Sequence, residues 1–163
     1  MMKLTCPMLV VADIRRSRVF YETVLEQTVI LDFGENITFD GGFSLQEKGL
    51  WAQFLGRKPE DIVFGGADAE LYFETEDFDS FLSRFSTFPN IPLVTSPTET
   101  SWGQRLVRFF DPDRHIIEVG ESMPSVIRRF LAQGLSVEEA ARRSQHPVEF
   151  VRRCMNTGSF ELD

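Results

Sequence analysis

The chain has 163 residues, enough for one domain with a real core, and its 42% hydrophobic and 26% charged residues describe an ordinary water-soluble globule. The formal net charge of −8 argues against nonspecific nucleic-acid binding and favours a neutral or cationic small ligand. The apolar run near the N-terminus is short, contains Pro7 and stops at Asp13, and no apolar stretch approaches the ~20 residues of a membrane span, so neither a secretory leader nor an anchor is expected.

Taken in chain order, Met8-Leu9-Val10-Val11 is a continuous apolar run, as in a buried strand. Asp13 can cap a following helix, in which Ile14, Ser17, Tyr21 and Leu25 share one face. Short strands are predicted at 29–33, 37–39 and 43–46, with Gly34 and Gly41-Gly42 in the turns. Residues 47–68 form a linker whose Trp51, Phe54 and Leu55 make it too apolar for an unattached tether. A second copy of the unit begins near Ala69. Leu71-Tyr72-Phe73 reads as a strand, and Asp77 as a cap. Phe78, Phe81, Leu82 and Phe85 repeat at i, i+3, i+4, i+7, and Pro89 and Pro92 end that helix. Strands follow at 93–95, 105–110 and 115–119, the last two joined by the tight turn Asp111-Pro112-Asp113-Arg114.

Each half therefore reads strand, helix, strand, strand, strand. The expected fold class is α+β: two βαβββ modules, about 4–47 and 69–121, forming a curled mixed sheet around a pocket, plus a short C-terminal helical tail. The expected domain division is 1–123 for the body and 124–163 for the tail. Sixteen Phe residues, against two Trp and two Tyr, chiefly fill the core. Cys6 and Cys154 form no paired motif, and two thiols suit a reducing, cytoplasmic setting.

In the tail, Val126, Ile127, Phe130 and Leu131 form an apolar stripe, Gly134 stops the first helix, Ser136-Val137-Glu138-Glu139 is a capping box, and Pro147 opens a third helix. The stretch "FLAQGLSVEEAARRSQHPVEFVRR" resembles a small helix-turn-helix unit. Two readings stand: DNA contact through Arg152 and Arg153, or a clasp that packs on the body or on a second subunit. Residues 121–163 hold six basic and six acidic residues, and that neutrality favours the clasp. Such a stripe is too apolar to stay exposed, and a short appendage is not expected to build a core by itself.

"MLVVADIRRSRVFYETVL" resembles the opening of the vicinal-oxygen-chelate superfamily, which includes glyoxalases, bleomycin-resistance proteins and extradiol dioxygenases, and "SWGQRLVRFFDPDRHIIEVGE" resembles its last hairpin. In catalytic members four side chains at matching places in the two halves hold one divalent metal. The resemblance maps those places onto Cys6, Gln46, Glu70 and Glu118, with Glu47 the neighbour if a one-residue gap is misplaced. Cys6 stands where many relatives have His. Two carboxylates and an amide oxygen suit Mg²⁺, Mn²⁺ or Ni²⁺, whereas a thiolate pulls toward Zn²⁺. Strand alternation turns Glu118 away from Ile117 and Val119, and Glu70 away from Leu71 and Phe73. The opposing reading makes them salt-bridged strand residues, with Arg105 and Arg108 available as partners. With a metal, the resemblance implies an isomerase or lyase of the lactoylglutathione-lyase type, with Glu118 or Glu70 as the base. Without one, it implies a protein that sequesters a small molecule. Relatives commonly form homodimers. A DNA-contacting regulator is a third and weaker alternative.

Overall fold

The periodicities read from the sequence appear as hydrogen-bonded elements in a computed structural model that describes residues 1–156. The chain divides into two units, the first holding 1–69 with 110–115, the second 70–109 with the chain from Ile116 onward.

In the first unit, β1 (Met8–Val11) leads to α1 (Ile14–Val24), then β2 (Val29–Asp32), β3 (Asn36–Phe39) and β4 (Ser44–Glu47). The sheet order is β1-β4-β3-β2, with β1 and β4 parallel and the remaining pairs antiparallel. Asp13 caps α1 as expected, its Oδ1 accepting from the backbone N–H groups of Arg15 and Arg16 at 2.9 and 3.1 Å. Those bonds, led by the one from Arg16, hold its carboxyl below the ordinary aspartate value. Ile14, Ser17, Phe20, Tyr21 and Val24 form the buried face of the helix. Tyr21, Phe39 and Phe43 pack with ring centroids 4.8–5.6 Å apart.

The turn at 110–115 belongs to this unit, and its polar groups are fully employed. Asp111 Oδ2 accepts from the Tyr21 hydroxyl at 3.0 Å, and Oδ1 accepts from the N–H groups of Asp113 and His115 at 2.9 and 2.8 Å. The His115 ring nitrogen Nδ1 lies 2.8 Å from Asp111 Oδ2, in keeping with a strand-edge role. Asp113 accepts from Ala12 N–H and pairs with Arg16. Burial, together with Asp111 as hydrogen-bond partner, raises the Tyr21 hydroxyl well above the ordinary tyrosine value.

The linker holds elements that the sequence reading did not place. It contains α2 (Lys48–Phe54) and a 3-10 turn, Pro59–Asp61. Alternation stops at Glu47, and α2 has no side-chain cap and carries Gly49, so its start has no local signature. Ala52 is fully buried, while Phe54 and Leu55 are exposed.

The second unit repeats the plan: β5 (Glu70–Thr75), α3 (Phe78–Phe85), β6 (Leu93–Glu99), β7 (Arg105–Phe110) and β8 (Ile116–Glu121), in the order β5-β8-β7-β6. Asp77 caps α3 through Ser80 N–H at 2.9 Å. β5 and β8 pair in parallel over six residues, setting Tyr72 opposite Glu118. β6 runs four residues beyond its predicted end. It is an edge strand, so Pro97 is tolerated, and register shifts accommodate the irregularity.

Three helices follow: α4 (Met123–Ala132), α5 (Val137–Ser144) and α6 (Val148–Asn156). The capping box of Ser136 and Glu139 is present. The expectation that this tail lacks a core of its own is corrected. Val126, Ile127, Phe130, Ala140, Ala141, Val151 and Cys154 form a buried cluster among the three helices. Apolar side chains from all three helices converge on this one cluster, so each helix buries its stripe against the other two. The tail is also fastened to its sheet. Glu76 accepts from the hydroxyls of Ser122 and Ser125 and pairs with Arg128, and Arg143 pairs with Glu99. Residues 157–163, the end of the predicted extension, lie outside the described residues.

Candidate functional site

The four residues mapped by resemblance fall two on each unit. On the first, Ser44 and Gln46 alternate with Leu45, which lies in the core. Gln46 is 3% exposed, and both ends of its amide are engaged: Oε1 accepts from Asn36 Nδ2 at 3.0 Å, and Nε2 donates to Glu35 O at 2.9 Å. Cys6 is half-buried, its Sγ 3.7 Å from Ser44 Oγ. Glu47, the alternative to Gln46, takes the opposite alternation and lines a charged cavity of about 440 Å³ with Arg15, Arg18, Asp32 and Glu35.

On the second unit, Glu118 is 5% exposed and Glu70 stands exposed at the start of β5. Arg108, from β7, joins them. Its Nε donates to Glu70 Oε2 at 3.2 Å, and its guanidinium also contacts the Glu118 carboxylate. Arg108 Nη2 lies directly against the buried Oε2 of Glu118, so the guanidinium occupies this oxygen although the angle is poor for a hydrogen bond. Burial pushes the Glu118 carboxyl above the ordinary glutamate value. Arg108 opposes that rise, and the Glu70 charge adds to it.

Next to these lies a chain of polar contacts that sequence reasoning missed. The Tyr72 hydroxyl donates to Glu74 Oε1 at 2.7 Å and accepts from Gln104 Nε2 at 2.7 Å. Gln104 Nε2 also donates to Glu121 O at 2.9 Å, while Trp102 Nε1 donates to Gln104 Oε1 at 3.2 Å. Burial raises the Tyr72 hydroxyl well above the ordinary tyrosine value. Trp102 and Gln104 were visible in the family-like hairpin, but nothing in their spacing indicates a bond to a tyrosine 32 positions away.

The donor set does not fit a divalent cation as arranged. One guanidinium already pairs with both carboxylates and offsets one of their two negative charges, and the Gln46 amide is spent within its own unit. Among the described residues, no group of three or more His, Cys, Asp or Glu side chains could hold a metal. The arrangement leaves the Tyr72 ring, 46% exposed, as apolar surface beside the Arg108–carboxylate cluster. No described helix is long and apolar enough to cross a membrane.

Comparisons with known proteins agree with this fold. A protein of unknown function from Agrobacterium tumefaciens str. C58 is 35% identical, with a TM-score of 0.67, over 74% of this chain and 94% of its own. A glyoxalase/bleomycin resistance protein/dioxygenase from Nocardioides is 20% identical, with a TM-score of 0.58, over 74% of this chain and 85% of its own. A glyoxalase/bleomycin resistance protein/dioxygenase family enzyme from Burkholderia phytofirmans PsJN is 15% identical, with a TM-score of 0.61, over 72% of this chain and 96% of its own. The last two likenesses speak to the fold alone. Among curated proteins, none matches this chain. The model of the glyoxalase-like domain family matches residues 4–124. Two βαβββ units and that match together make this chain a member of the glyoxalase-like domain family, within the vicinal-oxygen-chelate superfamily.

Proposed function

We propose that this protein binds a small molecule at the face carrying Glu70, Arg108, Glu118 and Tyr72, and that it does so without a divalent metal. The observation that carries this reading is the Arg108 guanidinium held by both carboxylates. An internal cation stands where it touches both carboxylates and offsets one of their two negative charges. The half-exposed Tyr72 ring and the partly exposed Arg108–Glu70 pair are what a ligand meets at this face, and the negative charge left over favours a neutral or cationic one. In this reading Glu70 steadies Arg108, and Tyr72 and Trp102 supply aromatic surface. Cys6 and Gln46 belong to the structural wall of the first unit rather than to a ligand set.

The test is elemental analysis of the purified protein, followed by calorimetric titration with Mn²⁺, Ni²⁺ and Zn²⁺. The expected outcome is no stoichiometric metal and no saturable heat. One equivalent of tightly bound metal, lost in both Glu70→Gln and Glu118→Gln, would overturn the reading and restore the set Cys6, Gln46, Glu70 and Glu118.

A second reading is enzymatic proton transfer, of the isomerase or lyase kind, with Glu118 as the base. It draws support from the burial that raises the proton affinity of Glu118. Turnover of a carbonyl substrate that is abolished by Glu118→Gln would decide for it. Two-fold dimerisation is part of either reading, and sedimentation equilibrium tests it.

A further inference from the structure

We propose that the C-terminal helical tail is a positioning element for ligand recognition: through Phe130 and Arg129 it fixes the turn Trp102-Gly103-Gln104, and through Gln104 it holds the hydroxyl of Tyr72, which the strand register sets opposite Glu118. This rests on the proposed ligand face and adds to it a remote determinant of its geometry.

The contacts run without a break from the tail to the exposed end of the network. Phe130, fully buried in α4, lies directly against Gly103, where a Cβ would overlap the ring, and the φ of +86° at Gly103 is one that L side chains rarely adopt. Arg129 Nη2 donates to Gly103 O at 2.5 Å and to Glu121 Oε2 at 2.9 Å, and its Nε donates to Glu121 Oε1 at 3.2 Å. Glu121, 3% exposed, also accepts from Arg105 at 3.1 Å through each oxygen. Its backbone carbonyl accepts from Gln104 Nε2, the same amide that donates to the Tyr72 hydroxyl. Gly120 makes room for that meeting. A Cβ there would come within 3.0–3.2 Å of Gln104 Nε2 and the Tyr72 ring and hydroxyl.

A network that served packing alone would end in the core. This one ends on Tyr72, which is 46% exposed and faces Glu118 across the β5–β8 register. The absent side chains at 103 and 120 remove bulk at the two points where the connection is tightest. The tail therefore acts on Tyr72 through Gly103 and Gln104 without touching the ligand face itself.

The chain has two tyrosines, so ¹³Cζ-tyrosine NMR on the full protein resolves Tyr72 from Tyr21, with Tyr72→Phe giving the assignment. In Arg129→Gln the Tyr72 resonance should shift and its titration should move, because the burial that raises the hydroxyl and the Gln104 bond that lowers it both depend on the Gln104 arm. The Tyr21 signal should stay in place. Phe130→Leu keeps an apolar residue in the tail core and withdraws the ring from Gly103, so it carries the same test should Arg129→Gln fail to fold. Unchanged Tyr72 resonance and titration in a folded variant of either kind, with only the melting temperature lowered, would overturn the proposal and leave the tail a purely structural clasp. Since the probe is Tyr72 and no ligand is added, failure of the metal-free binding reading would show separately, in the metal titration.

Discussion

Similarly buried acidic residues in the two units differ in the groups that meet them. Asp111 and Asp113, in the turn of the first unit, are 3% and 5% exposed, and Glu118 on the second sheet is 5% exposed. The turn carboxylates receive donors from Tyr21, His115, Arg16 and three backbone N–H groups. Glu118 meets the Arg108 guanidinium at Oε2, in poor hydrogen-bond geometry, and shares that guanidinium with Glu70. Burial alone therefore does not mark a functional carboxylate. What separates Glu118 from the turn carboxylates is that its charge is met by a partly exposed, shared cation rather than by a set of buried donors.

The most disruptive way to test this contrast is Asp111→Ala. It strips a buried tyrosine hydroxyl and two backbone N–H groups of their acceptor, at about 1–3 kcal/mol for each buried orphan. Urea unfolding should show a loss of about 3–5 kcal/mol. A loss under about 1 kcal/mol would mean that the turn is not held by these bonds.

Glu121→Gln extends the contrast to a fourth buried carboxylate, one held by Arg105 and Arg129. Charge-assisted bonds of this kind carry about 1.5–3 kcal/mol, and the variant should lose about that much at neutral pH. Although burial opposes it, hydrogen bonds from Arg129 and Arg105 lower the Glu121 carboxyl below the ordinary value of 4.5. Its contribution is therefore present above that value and fades as pH falls through the lower, folded one. Thermal unfolding from neutral to acid pH should show wild type and variant converging.

Glu118→Gln should have the smallest effect on stability, under about 1 kcal/mol, because Arg108 keeps Glu70 as partner and is partly exposed. Its pH dependence should run the other way. The folded carboxyl is raised, so the stability that Glu118 contributes is present below 4.5 and is lost as pH rises through the elevated value. The variant should gain on wild type as pH rises, measured in the same series of melts. Parallel curves for Glu121→Gln and Glu118→Gln would erase the distinction between a carboxylate held by two guanidinium groups and one that shares a guanidinium with Glu70.

Much of the second module was legible because its signals are short-range. Asp77, the Phe78-Phe81-Leu82-Phe85 face and the Asp111-Pro112-Asp113 turn each fall within a few residues. The placing of Glu118 and Glu70 on one face followed from alternation, and Arg108 was already a candidate partner. That one guanidinium takes both could not be read, since the Arg108–Glu70 bond spans 38 positions and depends on how β5, β8 and β7 align. Helix α2 escaped notice because it lacks a cap and a sustained apolar face.

By itself the sequence determined the duplicated βαβββ plan, the two helix caps, the tail helices and the family. Each of these is written in local periodicity, in capping and turn chemistry, or in a continuous motif. Tertiary structure decided which charges meet. It placed a cation between two carboxylates, spent the Gln46 amide on its own sheet, and turned an apolar stripe into the core of a three-helix tail whose Phe130 rests on Gly103. The reason is that pairing energies depend on strand register and on the depth at which a side chain is buried, and neither is a property of a residue and its immediate neighbours in the chain.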